Sequence, residues 1–133
     1  MHAGFLRTWR ARLAASNTAR AANAAYFGRR LSPLQCPRRA AYPYLRLPIV
    51  ASTPQEKERL FALSQKRGLG LAVAYPTPVN DIPEIRSAFV GQRFPAARMV
   101  SERLLTLPTH HWLTDDDRRA IAELCGDREA CAA

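Results

Sequence analysis

Few side chains in this chain are spaced for chemistry, and those that are lie beside prolines. Tyr75-Pro76-Thr77-Pro78-Val79-Asn80 follows an apolar run and is stiffened by two prolines, with a third at Pro83. A loop held rigidly at the end of a strand is a good place for a binding residue, so Tyr75 and Asn80 are candidate ligand contacts. His110-His111 is the other tempting pair. Neighbours in an extended segment face opposite ways, so the two rings do not chelate one metal, and no cysteine or third histidine stands at zinc-ligand spacing. His110, just past a short apolar run, could face a ligand; a solvent-exposed or backbone-bonded histidine is the competing reading. Asp115, Asp116 and Asp117 suit the positive end of a helix better than a magnesium ion. There is no nucleophile elbow, no phosphate-binding Walker loop and no glycine-rich dinucleotide motif.

These residues need elements to position them. The spacing Phe5, Trp9, Leu13 and the alanine-rich filling between predict a long helix over residues 5–31. Residues 32–42 read as a loop containing Pro33 and Pro37. Residues 44–50 read as a strand that Pro48 confines to a sheet edge or a bulge. Thr53-Pro54-Gln55-Glu56 predicts a helix start with a capping box, and Leu60, Phe61 and Leu63 its buried face. Gly68 fits the left-handed position just past the end of that helix. Residues 69–75 alternate as a second strand. Pro95 opens a helix over 95–103, with Ala96, Met99, Val100 and Arg103 at helical spacing. Leu104 to Leu107 form a third strand that Pro108 terminates. Thr114 caps a last helix over 115–125, with Ala120, Ile121, Leu124 and Cys125 facing the core. The expected class is α+β: a small three-stranded sheet packed against helices and entered through a long N-terminal helix. The expected divisions are a connecting helix (1–31), a small domain (32–126) and a frayed tail (127–133).

Charge is placed unevenly. The first 55 residues carry nine arginines and no acid, while the rest carries eleven basic and eleven acidic side chains, so the net +9 comes from the N-terminal part. A basic segment of this kind attracts anionic partners, and it is also how a mitochondrial transit peptide is composed. With only Lys57 and Lys66 as lysines, an arginine-rich compositional bias explains it as well. Aromatics are not interleaved with these arginines as a stacking platform for RNA requires. Cys36, Cys125 and Cys131 are odd in number and lack metal spacing, which implies thiols in a reducing, cytoplasmic setting. No apolar run reaches the roughly 20 residues of a membrane helix.

Three strings resemble a known family. Phe94-Pro95-Ala96, then Leu105-Thr106-Leu107-Pro108-Thr109-His110, then Leu113-Thr114-Asp115-Asp116 is similar to the C-terminal part of the DegT–DnrJ–StrS sugar aminotransferases, pyridoxal-phosphate enzymes of fold type I. Arg20, Asn23, Phe27 and Leu31 resemble the helix by which that family leaves its large cofactor domain. Tyr75 to Asn80 resembles its "Y-P-x-P-l-H" loop, which comes near substrate, except that Asn80 stands where the family has histidine. Asparagine keeps hydrogen bonding but does not titrate near neutrality. The resemblance implies amino transfer to a keto-sugar on a nucleotide-sugar substrate, with Tyr75, Asn80 and His110 near it. It implies pyridoxal phosphate as cofactor, and a large domain or a homodimer partner to complete the site. The Schiff-base lysine and the cofactor acid belong to the family's large domain, which has no counterpart here. Lys57 and Lys66 sit on a capped amphipathic helix and are not placed for an aldimine, so the isolated chain is expected to be inactive. The alternative is a small basic module for RNA or an acidic protein partner.

Overall fold

The computed structural model describes residues 7–31, 36 and 42–126. Phe5, most of the loop at 32–42, Cys131 and the tail at 127–133 lie outside the described residues. The described chain holds four helices and one three-stranded sheet: α1 (Trp9–Arg30), β1 (Arg46–Val50), α2 (Pro54–Arg67), β2 (Ala72–Val73), α3 (Pro95–Arg103), β3 (Leu104–Pro108) and α4 (Asp115–Leu124). Two 3-10 turns, Val79–Asp81 and Arg86–Phe89, fill the stretch between β2 and α3. The α+β expectation holds. The chain divides into two compact units, residues 1–47 with 108–133, and residues 48–107.

In the first unit the second half of α1 supplies the buried face. Asn23, Ala24, Phe27 and Leu31 follow one helical stripe and are buried, Ala24, Phe27 and Leu31 completely. The opposite packing surface is α4, whose Ile121 and Ala122 are buried together with Cys125 just past its end. The first two turns of α1 behave differently: Trp9 is 47% and Leu13 50% exposed.

A polar network runs through this core. Asn23 Nδ2 donates to the carbonyls of Thr109 (3.0 Å) and His110 (2.9 Å), and Arg118 Nη1 donates to Asn23 Oδ1 (3.2 Å). The Thr109 hydroxyl, fully buried, points at the carbonyls of Tyr44 (2.6 Å) and Leu45 (3.0 Å). Arg20 also donates to the Leu45 carbonyl, at 2.8 Å. The bond from Asn23 satisfies a Thr109 carbonyl that would otherwise be buried without a partner.

Helix α4 starts on a complete capping box. Thr114 Oγ1 accepts from the Asp117 N–H (3.1 Å), and Asp117 Oδ2 accepts from the Thr114 N–H (3.0 Å) and hydroxyl (2.7 Å). Asp115 pairs with Arg118, and Asp116 with Arg119 at 3.2 Å. The Thr114 N–H, then its hydroxyl, hold the Asp117 carboxyl below the usual carboxylate range, with a lesser contribution from His110. A carboxylate depressed on folding stabilises above its unfolded pKa, and that stabilisation is lost as pH falls through the folded value. The melting temperature of the wild-type chain should therefore fall more steeply than that of Asp117→Asn between about pH 5 and pH 2, followed by circular dichroism.

The second unit is built around the sheet, in the order β1-β3-β2, with β2 antiparallel to β3 and Ala72 opposite Thr106. Pro48 thus sits on an edge strand, where a missing N–H costs least. Leu105 and Leu107 in the central strand are fully buried. The second strand is shorter than the alternation at 69–75 predicts. Leu69 and Leu71 are buried, yet the Leu71 N–H goes to the Ser64 hydroxyl (2.9 Å) instead of a ladder partner. Helix α2 begins as predicted, with Thr53 accepting from the Glu56 N–H, but the Glu56 carboxylate reaches one residue further back, to the Ser52 N–H at 2.7 Å. It ends in a Schellman arrangement: Gly68 has φ +66°, its N–H meets Gln65 O, and the Leu69 N–H meets Ser64 O. The buried face of α2 is narrower than expected, Leu60 and Ser64, with Phe61 and Leu63 half-buried.

Helix α3 forms over the expected residues, and the stripe of Met99 and Val100 is not its buried side. Its buried residue is Ser101, whose hydroxyl donates to Arg98 O and whose carbonyl accepts from Lys57 Nζ at 2.6 Å. Met99 and Val100 point outward, 42% and 39% exposed.

Candidate functional site

The loop after β2 has an unusual backbone. Tyr75 has φ +55°, the one non-glycine residue with positive φ among those described. A bulky side chain in the left-handed region costs about 1–2 kcal/mol, and the following proline narrows the choices further. Such strain persists where the surroundings over-determine it, and it concentrates at binding sites. Tyr75 is also 70% exposed, so packing does not explain its conformation. Tyr75→Gly should raise stability by about 1 kcal/mol in urea titration, because glycine adopts this φ freely. Tyr75→Ala, which keeps the strain, should not.

Tyr75 lines an apolar recess of about 350 Å³ with Pro78, Val79, Ala97 and Val100. Asn80 lines two further cavities. One, of about 290 Å³, is apolar and adds Val79, Phe89, Phe94 and Ala97. The other, of about 510 Å³, is polar and adds Asp81, Gln92, Arg93 and Arg98. Asn80 itself is tethered: its Nδ2 donates to Asp81 Oδ1 at 2.8 Å, and Asp81 Oδ2 pairs with Arg98 at 2.8 Å. Tyr75 and Asn80 therefore line neighbouring recesses, and Val79 is a wall of the two apolar ones.

His110 belongs to the other unit. Its carbonyl is held by Asn23, its ring lies 5.7 Å from that of Trp112, and its Nδ1 is buried without a hydrogen bond. An orphaned buried ring nitrogen is costly unless a ligand or water completes it, which keeps His110 a candidate. His111 stacks closer on Trp112, at 4.4 Å, and faces a cavity of about 360 Å³ with Arg12, Ala15 and Ser16. Among the described residues no three histidines, cysteines or acids are grouped to hold a metal ion.

Sequence reading missed Asp81, Gln92, Arg93 and Arg98, which look like solvated polar residues until the turn at Val79–Asp81 and the start of α3 come together. The signal available was the acid directly after Asn80, with arginines flanking the helix start.

Both lysines lie on α2. Lys57 is held on the Ser101 carbonyl, and Lys66 is exposed in the last turn of α2. None of the cavities named above is lined by a lysine.

The described residues form an α+β chain with a strained proline loop after β2 and a fully capped final helix. The profile of the DegT/DnrJ/EryC1/StrS aminotransferase family matches residues 1–125, and the chain belongs to that family. Its general activity is amino transfer, and the family is generally pyridoxal-phosphate-dependent. No curated protein matches the chain significantly. Among the described residues, no helix is long and apolar enough to cross a membrane.

Proposed function

We propose that this chain is the C-terminal part of a sugar-nucleotide aminotransferase, transferring an amino group to a keto-sugar, and that it is inactive alone. The family match over nearly the whole chain carries the reading. In it, residues 1–31 are the connecting helix and 32–126 the small domain, with Tyr75, Asn80 and His110 as substrate contacts. Pyridoxal phosphate supplies an electron sink for the transferred amine when bound. The described residues do not fit it covalently, since Lys57 is occupied by a carbonyl and Lys66 faces solvent. The aldimine lysine and the acid at the pyridine nitrogen come from a large domain, joined or separate. That domain, or a second copy, covers the exposed turns of α1.

The setting is reducing and cytoplasmic in this reading. Cys36 and Cys125 are buried, and burial pushes the Cys36 thiol up, which disfavours the reactive thiolate.

The purified chain titrated with pyridoxal phosphate should develop no aldimine absorption and should not transaminate. Added or co-expressed lysine-bearing cofactor domain should restore both. An imine on Lys57 or Lys66 that supports turnover overturns the proposal.

A further inference from the structure

The amide of Asn80 is held from one side only. Its Nδ2 donates to Asp81 Oδ1 at 2.8 Å, and the other oxygen of Asp81 accepts from Arg98 Nη2, also at 2.8 Å. With both of its oxygens accepting, Asp81 faces the nitrogen of the amide, so the amide oxygen is turned away from it. That oxygen accepts no hydrogen bond from the described residues. The second N–H of the amide is open too, but a ligand acceptor placed on it would stand beside the Asp81 carboxylate. The oxygen carries no such obstacle.

The frame behind the amide is stiff. The Asp81 N–H donates to Pro78 O at 2.9 Å and the Ile82 N–H to Val79 O at 3.2 Å, which closes the 3-10 turn. Across from it, the Arg98 N–H donates to Phe94 O at 3.1 Å, and Arg98 O accepts from the Ser101 hydroxyl at 2.9 Å. The Asp81–Arg98 pair therefore ties the turn to α3. Beside Asn80 lies the apolar recess of about 290 Å³, in which Phe89 and Phe94 meet edge to face with ring centres 5.9 Å apart. An apolar ring seated there brings its substituent to Asn80.

We propose that Asn80 selects a ligand group that donates a hydrogen bond, a hydroxyl or an amine, through its amide oxygen. Asp81 and Arg98 are the positioning residues that keep that oxygen forward. The proposal rests on Asn80 being a substrate contact and says which kind of group it selects. Without the carboxylate, an asparagine amide can turn over and offer N–H and oxygen alike. With the carboxylate in place, a carbonyl in the donor's position meets the lone pairs of Asn80, and both acceptors are left unmet.

Cyclohexanol and cyclohexanone separate the two kinds of group. They share a ring and are both uncharged, so the nearby arginines act on them alike, and only the alcohol donates. Each is titrated into the full chain, with the backbone amides of residues 79–98 and the Asn80 side-chain amide followed by NMR. The alcohol should bind about three- to tenfold tighter than the ketone, the worth of one such hydrogen bond. Asn80→Leu should abolish this preference while the ring still binds. Asp81→Asn should reduce it, and Asp81→Glu, which keeps an acceptor-only group, should restore part of it. Arg98→Gln loosens Asp81 without touching Asn80 and should also reduce it. Equal binding of the two probes, or tighter binding of the ketone, overturns the proposal. So does a preference that survives Asn80→Leu, and so does binding of neither probe. A preference that Asp81→Asn and Arg98→Gln both leave intact overturns the positioning role. The substrate reading is judged separately, by turnover with the cofactor domain. An unchanged KM in Asn80→Leu there, beside an alcohol preference in the chain, removes Asn80 from the substrate contacts and keeps its acceptor role.

Discussion

Asn23→Ala should lower the stability of the chain by about 2–4 kcal/mol, the largest loss expected from any single polar residue in it. The side chain is buried, donates to two loop carbonyls and accepts from Arg118. Truncation leaves the buried Thr109 carbonyl and the part-buried His110 carbonyl and Arg118 N–H short of partners, and an unmet buried group costs more than the bond was worth. Against a typical total of about 5–15 kcal/mol this is severe. Asn23→Asp separates the contributions. It improves the bond from Arg118 but turns oxygen toward two carbonyl oxygens. Urea midpoints should place Asn23→Asp no higher than Asn23→Ala. An aspartate variant as stable as wild type would mean that the Arg118 contact dominates and that the carbonyl bonds matter little.

Trp9→Glu should weaken self-association of the chain, or its docking to a cofactor domain, by at least tenfold. The indole is half exposed on the first turn of α1, one turn before the equally exposed Leu13. Covering the exposed part of Trp9 is worth about 2–3 kcal/mol at ~25 cal/mol per Å². Arg10 lies over the indole, 5.3 Å from its centre, and desolvation at an interface would strengthen that contact. Because apolar burial is not screened, high salt should change the association little. Sedimentation at low and high salt checks this. The opposite pattern, a monomer binding RNA with a steep salt slope that Trp9→Glu leaves intact, would favour the basic-module alternative.

The fold was legible where local chemistry forces an outcome. Thr53 and Thr114 cap because their hydroxyls reach first-turn N–H groups, Gly68 ends α2 because only glycine takes φ +66° cheaply, and Pro48 goes to an edge because it cannot donate. What stayed hidden was decided by tertiary surroundings. Periodicity places Ala96, Met99 and Val100 on one side of α3 but cannot say which side is covered, and the buried side belongs to Ser101. Alternation over 69–75 cannot foresee that the Ser64 hydroxyl takes the Leu71 N–H and shortens the strand. At the candidate site, Tyr75 and Asn80 were visible as loop residues. The positive φ of Tyr75 was not, because bulky residues rarely adopt it. Arg93 and Arg98 acquire meaning only once a cavity exists between them and Asn80.

The sheet has consequences for how this chain can aggregate. One edge strand, β1, carries Pro48, and the other, β2, is two residues long. Neither edge presents the long row of free N–H and C=O groups that templates cross-strand addition. Assemblies of this chain should therefore be finite, reversible and helical in spectrum, with no fibre-type dye response even at high concentration.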